Sequence, residues 1–411
     1  MTEPQSKYRW VIVVVATLAL VISNGLTIGG LPPFYKPMRE EFVLLGVVDA
    51  SRAETFISNA ANITFFMSGV FSLLAGWLLT RIRLKSLMLI GCVMLGGAIV
   101  LHSQALSVEA VYLARFLMGA SLGFVGVMPC VVLVSNWFQT NRGTALGIVL
   151  TGTSIGGALI SLIVAPLITN YGWRNALLSV SLLVWLLLLP AIIIFVKDPP
   201  SALFTATAAA ADTSGMTLSE AVRTKLFWVF GLCAALVFYP IFATSQQFIL
   251  YLQSPKIGVS AETAAFAQSA LFAVSIGGKF IAGFLSDRFT AVRMMMFTAL
   301  LMFAASLVLL SLTAGNSLFF LLPFALGYGG TFVLLQRVAA DFFGRREIGK
   351  ILGAITMIEI IGAAIGGRIT AHLADQAGGD YTTAFYGVTI TAFLAFLMTI
   401  LIHQMHKSVR K

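Results

Sequence analysis

Charged residues are scarce in this 411-residue chain, and their scarcity excludes an ordinary soluble protein. Only 10% of the residues are Asp, Glu, Lys or Arg, whereas soluble domains carry about 25%. Hydrophobic residues make up 59%, against roughly 45–50% in soluble domains. A chain with so little charge and so much apolar surface is predicted to be a multi-pass membrane protein.

Cysteine and histidine are also few, which argues against a disulfide framework, a metal centre or an enzyme. The cysteines Cys92, Cys130 and Cys233 show neither paired nor metal-type spacing. The histidines lie at the ends of apolar stretches, without the partner spacing of a catalytic site, at His102, His372, His403 and His406. We therefore predict a protein that is not an enzyme and that binds no cofactor and no metal ion.

Twelve apolar runs follow one another along the chain, each long enough to cross a membrane as a helix. A spanning helix needs about twenty apolar residues. The sequence therefore predicts an all-α membrane protein with twelve transmembrane segments, numbered in chain order. The first run is a full spanning length, so we expect a retained segment and not a cleaved signal peptide. The runs start near Trp10, Ser58, Leu84, Val111, Thr144, Ala176, Leu226, Ala264, Arg293, Leu318, Ile351 and Thr383.

Lysine and arginine are distributed unevenly between the connecting turns. With the N-terminus placed inside, most of the 26 Lys and Arg residues fall on the cytoplasmic side, for example Arg81, Arg83 and Lys85. Such an excess on cytoplasmic loops is typical of membrane proteins. We therefore expect a bacterial cytoplasmic (inner) membrane location with both termini in the cytoplasm. The net charge of +10 follows this pattern, so we predict the lipid bilayer as a partner and no nucleic acid.

One polar connection divides the runs into two sets of six. Residues 198–224 begin with Asp198-Pro199-Pro200 and continue through a run of small residues. We predict a cytoplasmic linker there, between an N-terminal six-helix bundle (1–197) and a C-terminal one (225–411).

The two halves also match each other at an offset of about 206 residues. Gly76-Trp-Leu-Leu-Thr80-Arg81 corresponds to Gly283-Phe-Leu-Ser-Asp287-Arg288. A duplicated six-helix unit explains the match. The second stretch resembles the loop motif of the major facilitator superfamily, and the first resembles a counterpart with Thr80 where an acid is usual.

Arg115-Phe-Leu-Met-Gly119 is similar to the fourth-helix arginine motif of the same superfamily. The resemblance implies two six-helix pseudo-repeats with the substrate bound between them near the bilayer midplane. Rocking of the halves would then expose the substrate to alternate sides of the membrane. It also implies structural or gating roles for Arg115, Asp287 and Arg288.

Within that superfamily, the chain resembles the monocarboxylate transporters and the bacterial oxalate/formate exchangers. In those carriers a substrate-binding arginine stands at the position of Lys279, four residues before Gly283. The resemblance implies secondary active transport of a small organic anion, a mono- or dicarboxylate, by proton symport or anion exchange. Three further motifs carry it: Tyr35-Lys36-Pro37-Met38-Arg39-Glu40-Glu41-Phe42, Asn141-Arg142-Gly143 with Gly147 and Gly156-Gly157, and Tyr171-Gly172-Trp173-Arg174.

Five charged residues lie inside apolar runs: Arg115, Lys279, Arg337, Glu359 and Arg368. Charge at the centre of a membrane costs at least ~2.5–3.5 kcal/mol per residue, so it usually marks a polar path. Lys279 precedes Asp287 by eight residues and lies roughly 12 Å inside the cytoplasmic boundary, near the midplane. We predict that its ammonium binds the substrate carboxylate. The alternative is a lysine that Glu359 neutralises to hold helices together.

Glu359 is the only acid in any predicted spanning run, at a depth comparable with that of Lys279. We predict that it couples transport to protons, because its protonation would release Lys279; the alternative is a static ion pair. Arg368, nine residues further out, is predicted to bind or guide the anion, or else to extend to the outer surface. The oxalate/formate exchangers carry cations on helices 8 and 11, which Lys279 and Arg368 resemble.

The remaining polar residues in the runs have milder predicted roles. Arg115 is favoured as structural over direct substrate contact. Arg337, four residues before Asp341, is favoured as an interfacial residue within reach of that acid. Tyr328 and Asn62 are predicted to complete the substrate site, with interhelical contacts as the alternative.

Two positions depart from the proton-coupled carriers: Gly29 stands where they have lysine, and Ser275 where they have aspartate. Proton symport and anion exchange therefore both stay open. The main alternative function is proton-driven drug or metabolite efflux, although the first run has no acid and Gly152 to Gly157 contains no proline. A transporter-like sensor is a further alternative. We expect a monomer.

Overall fold

The computed structural model is helical throughout the residues that it describes, and no β-strand occurs among them. These residues are 3–49, 52–138, 140–197, 215–253, 257–259, 261–311, 317–344, 346–377 and 380–409. Positions 198–214 of the predicted linker lie outside them. The described part of the chain confirms the predicted all-α fold.

The helices of the first half follow the predicted runs. They are α1 (Glu3–Asn24), α2 (Pro32–Leu44), α3 (Ala53–Leu78), α4 (Leu84–Ser103), α5 (Val108–Val125), α6 (Val127–Trp137), α7 (Arg142–Leu182) and α8 (Leu189–Phe195). A π-helical turn at Gly25–Gly29 extends α1, and another at Leu183–Leu188 joins α7 to α8. Segment 4 comprises α5 and α6, which meet at Gly126.

The second half begins with the short helix α9 (Leu218–Val222). Thr217 and Glu220 form a capping box at its N-terminus, in which each side chain bonds the backbone N–H of the other residue. Six long helices follow it and correspond to segments 7 to 12. The helices are α9 (Leu218–Val222), α10 (Lys225–Gln253), α11 (Ala261–Arg288), α12 (Ala291–Leu309), α13 (Ser317–Phe343), α14 (Ile348–Gln376) and α15 (Thr382–Val409).

The described residues contain 11 continuous stretches that are long and apolar enough to cross a membrane. One of these stretches accounts for two of the twelve predicted spans. One stretch, Arg142–Phe195, has 54 residues and would be roughly 80 Å long, more than twice a hydrocarbon core of ~30 Å. It bends sharply at Gly172, where φ is 76° and ψ is 161°. Glycine adopts such a positive φ without strain. Gly172 therefore separates segments 5 and 6.

The predicted sequence repeat recurs as a repeated contact. A Cβ added at Gly76 would lie 2.5 Å from the carbonyl oxygen of Gly349, at the start of α14. A Cβ added at the equivalent Gly283 would lie 2.5 Å from the carbonyl oxygen of Gly143, at the start of α7. The helix that precedes each loop motif thus contacts, through glycine, the first turn of a helix from the other half of the sequence: α3 contacts α14, and α11 contacts α7. The pseudo-repeat is therefore present in the structure as well as in the sequence.

The chain forms two compact units. The N-terminal unit comprises Met1–Gln139, Val149–Thr213 and Glu347–Thr356. The C-terminal unit comprises Thr140–Ile148, Ser214–Arg346 and Met357–Lys411. The first turns of α7 and α14 thus each belong to the unit opposite to the rest of their helix. The division at 197 and 225 stays a prediction.

All three cysteines are buried and free of disulfides. The sulfur of Cys130 lies 3.7 Å from the carbonyl oxygen of Val125, and that of Cys233 lies 3.8 Å from that of Ala395. Buried cysteine behaves as a small apolar residue with a weak donor. These three residues therefore serve helix packing.

Candidate functional site

Lys279 lies in the middle of α11 and is fully buried, with 0% of the residue exposed. Its Nζ atom lies 5.7 Å from the ring centroid of Tyr328 and 4.9 Å from that of Phe332, both on α13. A cation within about 6 Å of an aromatic ring is attracted to the negative face of the ring. The two rings therefore stabilise the buried ammonium of Lys279 between α11 and α13.

Glycines allow α11 and α13 to approach closely enough for this contact. A Cβ at Gly329 would lie 2.9 Å from the backbone nitrogen of Lys279 and closer still to the carbonyl oxygen of Ser275. A Cβ at Gly278 would lie 2.5 Å from the carbonyl oxygen of Leu326. No residue with a side chain fits where two backbones come this close. The depth and direction of Lys279 thus depend on these glycines.

Replacing Gly329 with alanine is expected to weaken both stability and substrate binding. The new Cβ would meet backbone atoms, so α11 and α13 must separate, and such overpacking costs about 1–3 kcal/mol. Gly277→Ala is the matched control, because a Cβ there meets nothing within 4 Å. We expect a lower melting temperature and a higher transport KM for Gly329→Ala only. Equal values for the two variants would contradict this packing argument.

Glu359 lies in α14 and is 3% exposed. Its Oε1 atom accepts a hydrogen bond of 3.3 Å from Nε2 of Gln336, which is itself buried on α13. The other amide atom, Oε1 of Gln336, has no hydrogen-bond partner among the described residues. Buried polar atoms usually have hydrogen-bond partners. Protonation would give the carboxyl group of Glu359 an O–H donor, and the Oε1 atom of Gln336 is an acceptor that could bind it.

One face of α13 connects the two predicted site charges. Tyr328, Phe332 and Gln336 are spaced four residues apart, so they lie above one another on this face, about 6 Å apart along the helix. Lys279 contacts the first two residues and Glu359 contacts the third. The ammonium of Lys279 and the carboxylate of Glu359 therefore contact neighbouring turns of α13 in the C-terminal unit. A direct pair between Lys279 and Glu359 stays a prediction.

Arg368 lies on a different face of α14 from Glu359. Nine residues at 100° each amount to about half a turn beyond two full turns, so the two side chains point in opposite directions. Arg368 is exposed and lies on a stripe that also exposes Ile361 and Ile365. An arginine among exposed isoleucines favours the predicted alternative, in which the side chain extends to the outer surface. Its role in anion binding stays a prediction.

The two predicted neutral site residues lie in different units. Tyr328 is half-buried, with its ring beside Lys279 in the C-terminal unit. Asn62 is exposed on α3 of the N-terminal unit. Only Tyr328 is thus placed at the predicted cation, and both binding roles stay predictions.

Asp287, at the C-terminal end of α11, caps the start of α7. Its Oδ1 atom accepts from the backbone N–H of Gly143 at 2.9 Å, and its Oδ2 atom accepts from the N–H and the hydroxyl of Thr144, both at 2.7 Å. The first N–H groups of a helix lack partners within the helix and favour negative charge. Asp287 also binds Nη1 of Arg337 at 2.6 Å, and Nε of Arg337 binds Asp341 at 3.1 Å. These contacts join α7, α11 and α13, and the structural roles of Asp287 and Arg337 stay predictions.

Arg288, the next residue, is exposed, and its guanidinium carbon lies 4.5 Å from the ring centroid of Phe284. In the first half, Thr80 stands at the position of Asp287, in the turn after α3, and its hydroxyl donates to the carbonyl oxygen of Trp77 at 2.7 Å. The carboxylate cap on α7 therefore has no charged counterpart at Thr80. Gating by Arg288 and Asp287 stays a prediction.

Two of the quoted motifs meet in the N-terminal unit although they are about 130 residues apart. Glu41 of α2 accepts from Nε and Nη2 of Arg174 at 3.0 and 2.8 Å, and from the indole N–H of Trp173. Nη1 of Arg174 donates to the carbonyl oxygen of Ser103 at 2.8 Å. The positive φ of Gly172 turns the chain so that Trp173 and Arg174 both reach Glu41. These bonds fix α2 to the turn between segments 5 and 6.

Arg115 is buried in α5, also in the N-terminal unit. Its guanidinium carbon lies 5.3 Å from the ring centroid of Tyr35 on α2. The hydroxyl of Thr64 donates to the backbone carbonyl of Arg115 at 3.2 Å, which ties α3 to α5. The structural or gating role of Arg115 stays a prediction.

The family model of the Major Facilitator Superfamily matches residues 17–255 and 248–410, which together cover most of the chain. The chain belongs to the Major Facilitator Superfamily. The motif resemblance drawn from the sequence is thereby confirmed at the level of the family. Members of this family are membrane transporters, which agrees with the spans described above.

Several curated facilitators are similar to this one at low identity. An MFS transporter of Aspergillus flavus, asaE, is 28% identical over 279 residues, which cover 66% of this chain and 60% of the fungal protein. Monocarboxylate transporter 13 of Rattus norvegicus is 25% identical over 396 residues, which cover 95% of this chain and 87% of the rat protein. Monocarboxylate transporter 12 of Xenopus laevis is 26% identical over 327 residues, 72% of this chain and 69% of the frog protein.

Solved structures of other facilitators share the fold. The proton:xylose symporter XylE superimposes with a TM-score of 0.77 at 14% identity, over 96% of this chain and 95% of that chain. FucP, in the outward conformation, superimposes with a TM-score of 0.71 at 14% identity, over 98% and 99% of the two chains. The predicted major facilitator fold is therefore confirmed, while such low identities carry no information on the substrate.

Sequence reasoning did not single out two residues at the candidate site of this facilitator. Phe332 lies against Lys279, and Gln336 binds Glu359. Both follow Tyr328 on α13 at helical spacing, which was the available signal. Phenylalanine is too common in spanning helices to be noticed, whereas a glutamine inside an apolar run is a polar residue that spacing could have identified.

Proposed function

We propose that this protein is a secondary transporter that carries a small organic anion, a mono- or dicarboxylate, across the membrane by alternating access. The observation that carries the proposal is Lys279, a fully buried lysine in the middle of a spanning helix with two aromatic rings beside its ammonium. A cation at this depth costs several kcal/mol to place, and such residues usually belong to a substrate or ion path.

The chemistry around Lys279 suits a small acid with an apolar part. The ammonium attracts a carboxylate as a compact point charge. Phe332 offers an apolar wall, and Tyr328 offers both a ring and a hydroxyl donor. The likeness to monocarboxylate transporters 12 and 13 supports the same substrate class. Arg368 would then guide anions towards the site from the outer side.

Glu359 is the group that would couple transport to protons. When ionised, its carboxylate can only accept hydrogen bonds, such as the one from Nε2 of Gln336. When protonated, it carries a donor, and the Oε1 atom of Gln336 can accept from it once the amide rotates. The two protonation states of Glu359 thus favour two arrangements of Gln336, on the face of α13 that also contacts Lys279. Proton symport uses this change, whereas anion exchange proceeds with Glu359 in one state.

The charge distribution of the turns supports a location in the bacterial cytoplasmic membrane with both termini inside. The presence of spans from both six-helix halves in one chain supports a monomer as the transporting unit. Asp287 and Arg337 would serve as the fixed cytoplasmic contact between α7, α11 and α13.

Uptake of labelled carboxylates into proteoliposomes tests this proposal. Formate, acetate, lactate, oxalate and succinate are presented with and without a pH gradient, and with or without unlabelled anion inside. We expect uptake of at least one of them above that of protein-free liposomes. Stimulation by an inward proton gradient indicates symport, and stimulation by internal anion indicates exchange. A protein that transports none of these anions under any gradient would contradict the proposal.

A further inference from the structure

The N-terminal unit buries an arginine whose guanidinium lacks a hydrogen-bond acceptor. Arg115 is 0% exposed, and its Nε, Nη1 and Nη2 atoms have no partner among the described residues. Tyr35 is a polar neighbour: its ring centroid lies 5.3 Å from the guanidinium carbon, and its side chain interacts electrostatically with the guanidinium. A buried charge without a partner costs several kcal/mol, and buried polar groups in native proteins are nearly always satisfied.

A second polar side chain without a partner lies in the same region. His102, at the end of α4, is also 0% exposed, and both of its ring nitrogens lack a partner among the described residues. It lies within electrostatic range of Arg115 and Arg174. Its ring centroid is 6.2 Å from that of Trp173. Two buried side chains of the N-terminal unit, within electrostatic range of each other, therefore offer unused hydrogen-bonding groups.

The acid in this region is already occupied by other partners. Glu41 binds Arg174 through two hydrogen bonds and accepts a third from Trp173. The charge of Arg174 is thus balanced by Glu41. Within the described part of the chain, no carboxylate accepts a hydrogen bond from Arg115, so its positive charge is left uncompensated.

We propose that Arg115, with Tyr35 and His102, forms a second anion site, in the N-terminal unit, for a small planar oxyanion of the carboxylate class. The guanidinium fork matches a carboxylate through two parallel N–H···O bonds. The hydroxyl of Tyr35 and one ring nitrogen of His102 supply further donors. The site draws its three side chains from the N-terminal unit and goes beyond the transport proposal, because it does not require that the anion be carried.

The contacts of α2 determine how an anion reaches this site. Tyr35 belongs to α2, and Glu41 on the same helix is bound to Trp173 and Arg174. Because Arg115 is fully buried, an anion reaches it only after neighbouring groups move, and Tyr35 on α2 is one of these groups. Binding that requires such a change is slower than simple docking. We therefore expect slow association of the anion.

The test uses the full-length protein in detergent, with potassium formate as the probe and potassium chloride at equal ionic strength as the reference. The background is Lys279→Ala, which removes the cation of the proposed transport site. We expect formate to raise the melting temperature of this variant. Adding Arg115→Gln should abolish the effect, and adding Arg115→Lys should weaken the apparent affinity roughly 10-fold, because lysine cannot bind a carboxylate through a fork. Adding Arg293→Gln, at an exposed position, is the charge-matched control and should change nothing.

Two results would overturn the second site. One is the absence of formate-specific stabilisation in Lys279→Ala; the other is stabilisation that persists unchanged with Arg115→Gln. If Arg115→Gln does not fold, His102→Asn and Tyr35→Phe replace it, and unchanged formate affinity in both would overturn the site. Uptake by the wild-type protein is measured separately, so failure of this site and failure of the transport proposal are distinguishable.

Discussion

Replacing Lys279 with alanine is expected to abolish carboxylate uptake, whereas Lys279→Arg is expected to retain part of it. The alanine variant loses the buried cation that would hold the substrate carboxylate, and losing one partner of a buried charge pair costs about 2–5 kcal/mol. That cost corresponds to a fall in kcat/KM of roughly 30-fold to several-thousand-fold. Arginine keeps the charge, but its larger head group must fit between Tyr328 and Phe332.

Initial rates of uptake into proteoliposomes, normalised to reconstituted protein, provide the measurement. Lys225→Ala is the matched control, because it also removes a lysine of the C-terminal unit but at the exposed start of α10. Melting temperatures in detergent separate lost binding from lost folding. Unaltered transport in Lys279→Ala would show that the charge is dispensable and would remove the central residue of the proposed site.

Replacing Glu359 with glutamine is expected to remove the pH dependence of uptake while anion exchange continues. Glutamine has nearly the same shape as glutamate and can still accept the hydrogen bond from Gln336, so the packing of α13 against α14 is kept. It cannot take up or release a proton. Uptake driven by an inward proton gradient should therefore fall by about a hundredfold or more, the lower end of what a positioned proton-transfer group contributes to a rate.

The measurement compares uptake across external pH values from 5 to 8 with exchange of internal for external anion at equal pH. Gln336→Leu is the companion variant, since it removes the hydrogen bond but leaves the carboxyl group able to titrate. It should retain pH dependence, with an altered midpoint. If Glu359→Gln keeps the pH profile of the wild type, Glu359 has no part in coupling and is a structural residue.

The fold was predictable because the lipid bilayer leaves few choices. Apolar runs of spanning length must form helices that satisfy their own backbone groups, so counting the runs amounted to predicting the helices. Details that depend on local geometry were not predictable. The break of segment 4 at Gly126 and the π-helical turn after α1 leave no clear mark on hydrophobicity. The first turns of α7 and α14 belong to a different unit from the rest of their helices, and this division depends on tertiary contacts that the sequence does not display.

The candidate site was predictable in part for an energetic reason. Charge inside a membrane is expensive, so Lys279, Glu359 and Arg115 were conspicuous from composition alone. Residue spacing gives the depth of Arg368, and the same spacing places its side chain half a turn away from Glu359 around α14. The role of Gln336 was not predictable, because a neutral amide indicates a site only once its partner, here Glu359, is known. The bond between Glu41 and Arg174 joins two motifs whose proximity no local pattern reveals.

The burial of all three cysteines has a practical consequence for following the transport cycle. A thiol-reactive spin label or fluorophore requires a sulfur atom that the reagent can reach. Because each native thiol lies inside the helix packing, a cysteine introduced at an exposed position would be the site that reacts. Pairs of labels can therefore be placed in the otherwise native sequence, and the distances between them measured with and without substrate, while the packing around Cys92, Cys130 and Cys233 is left intact.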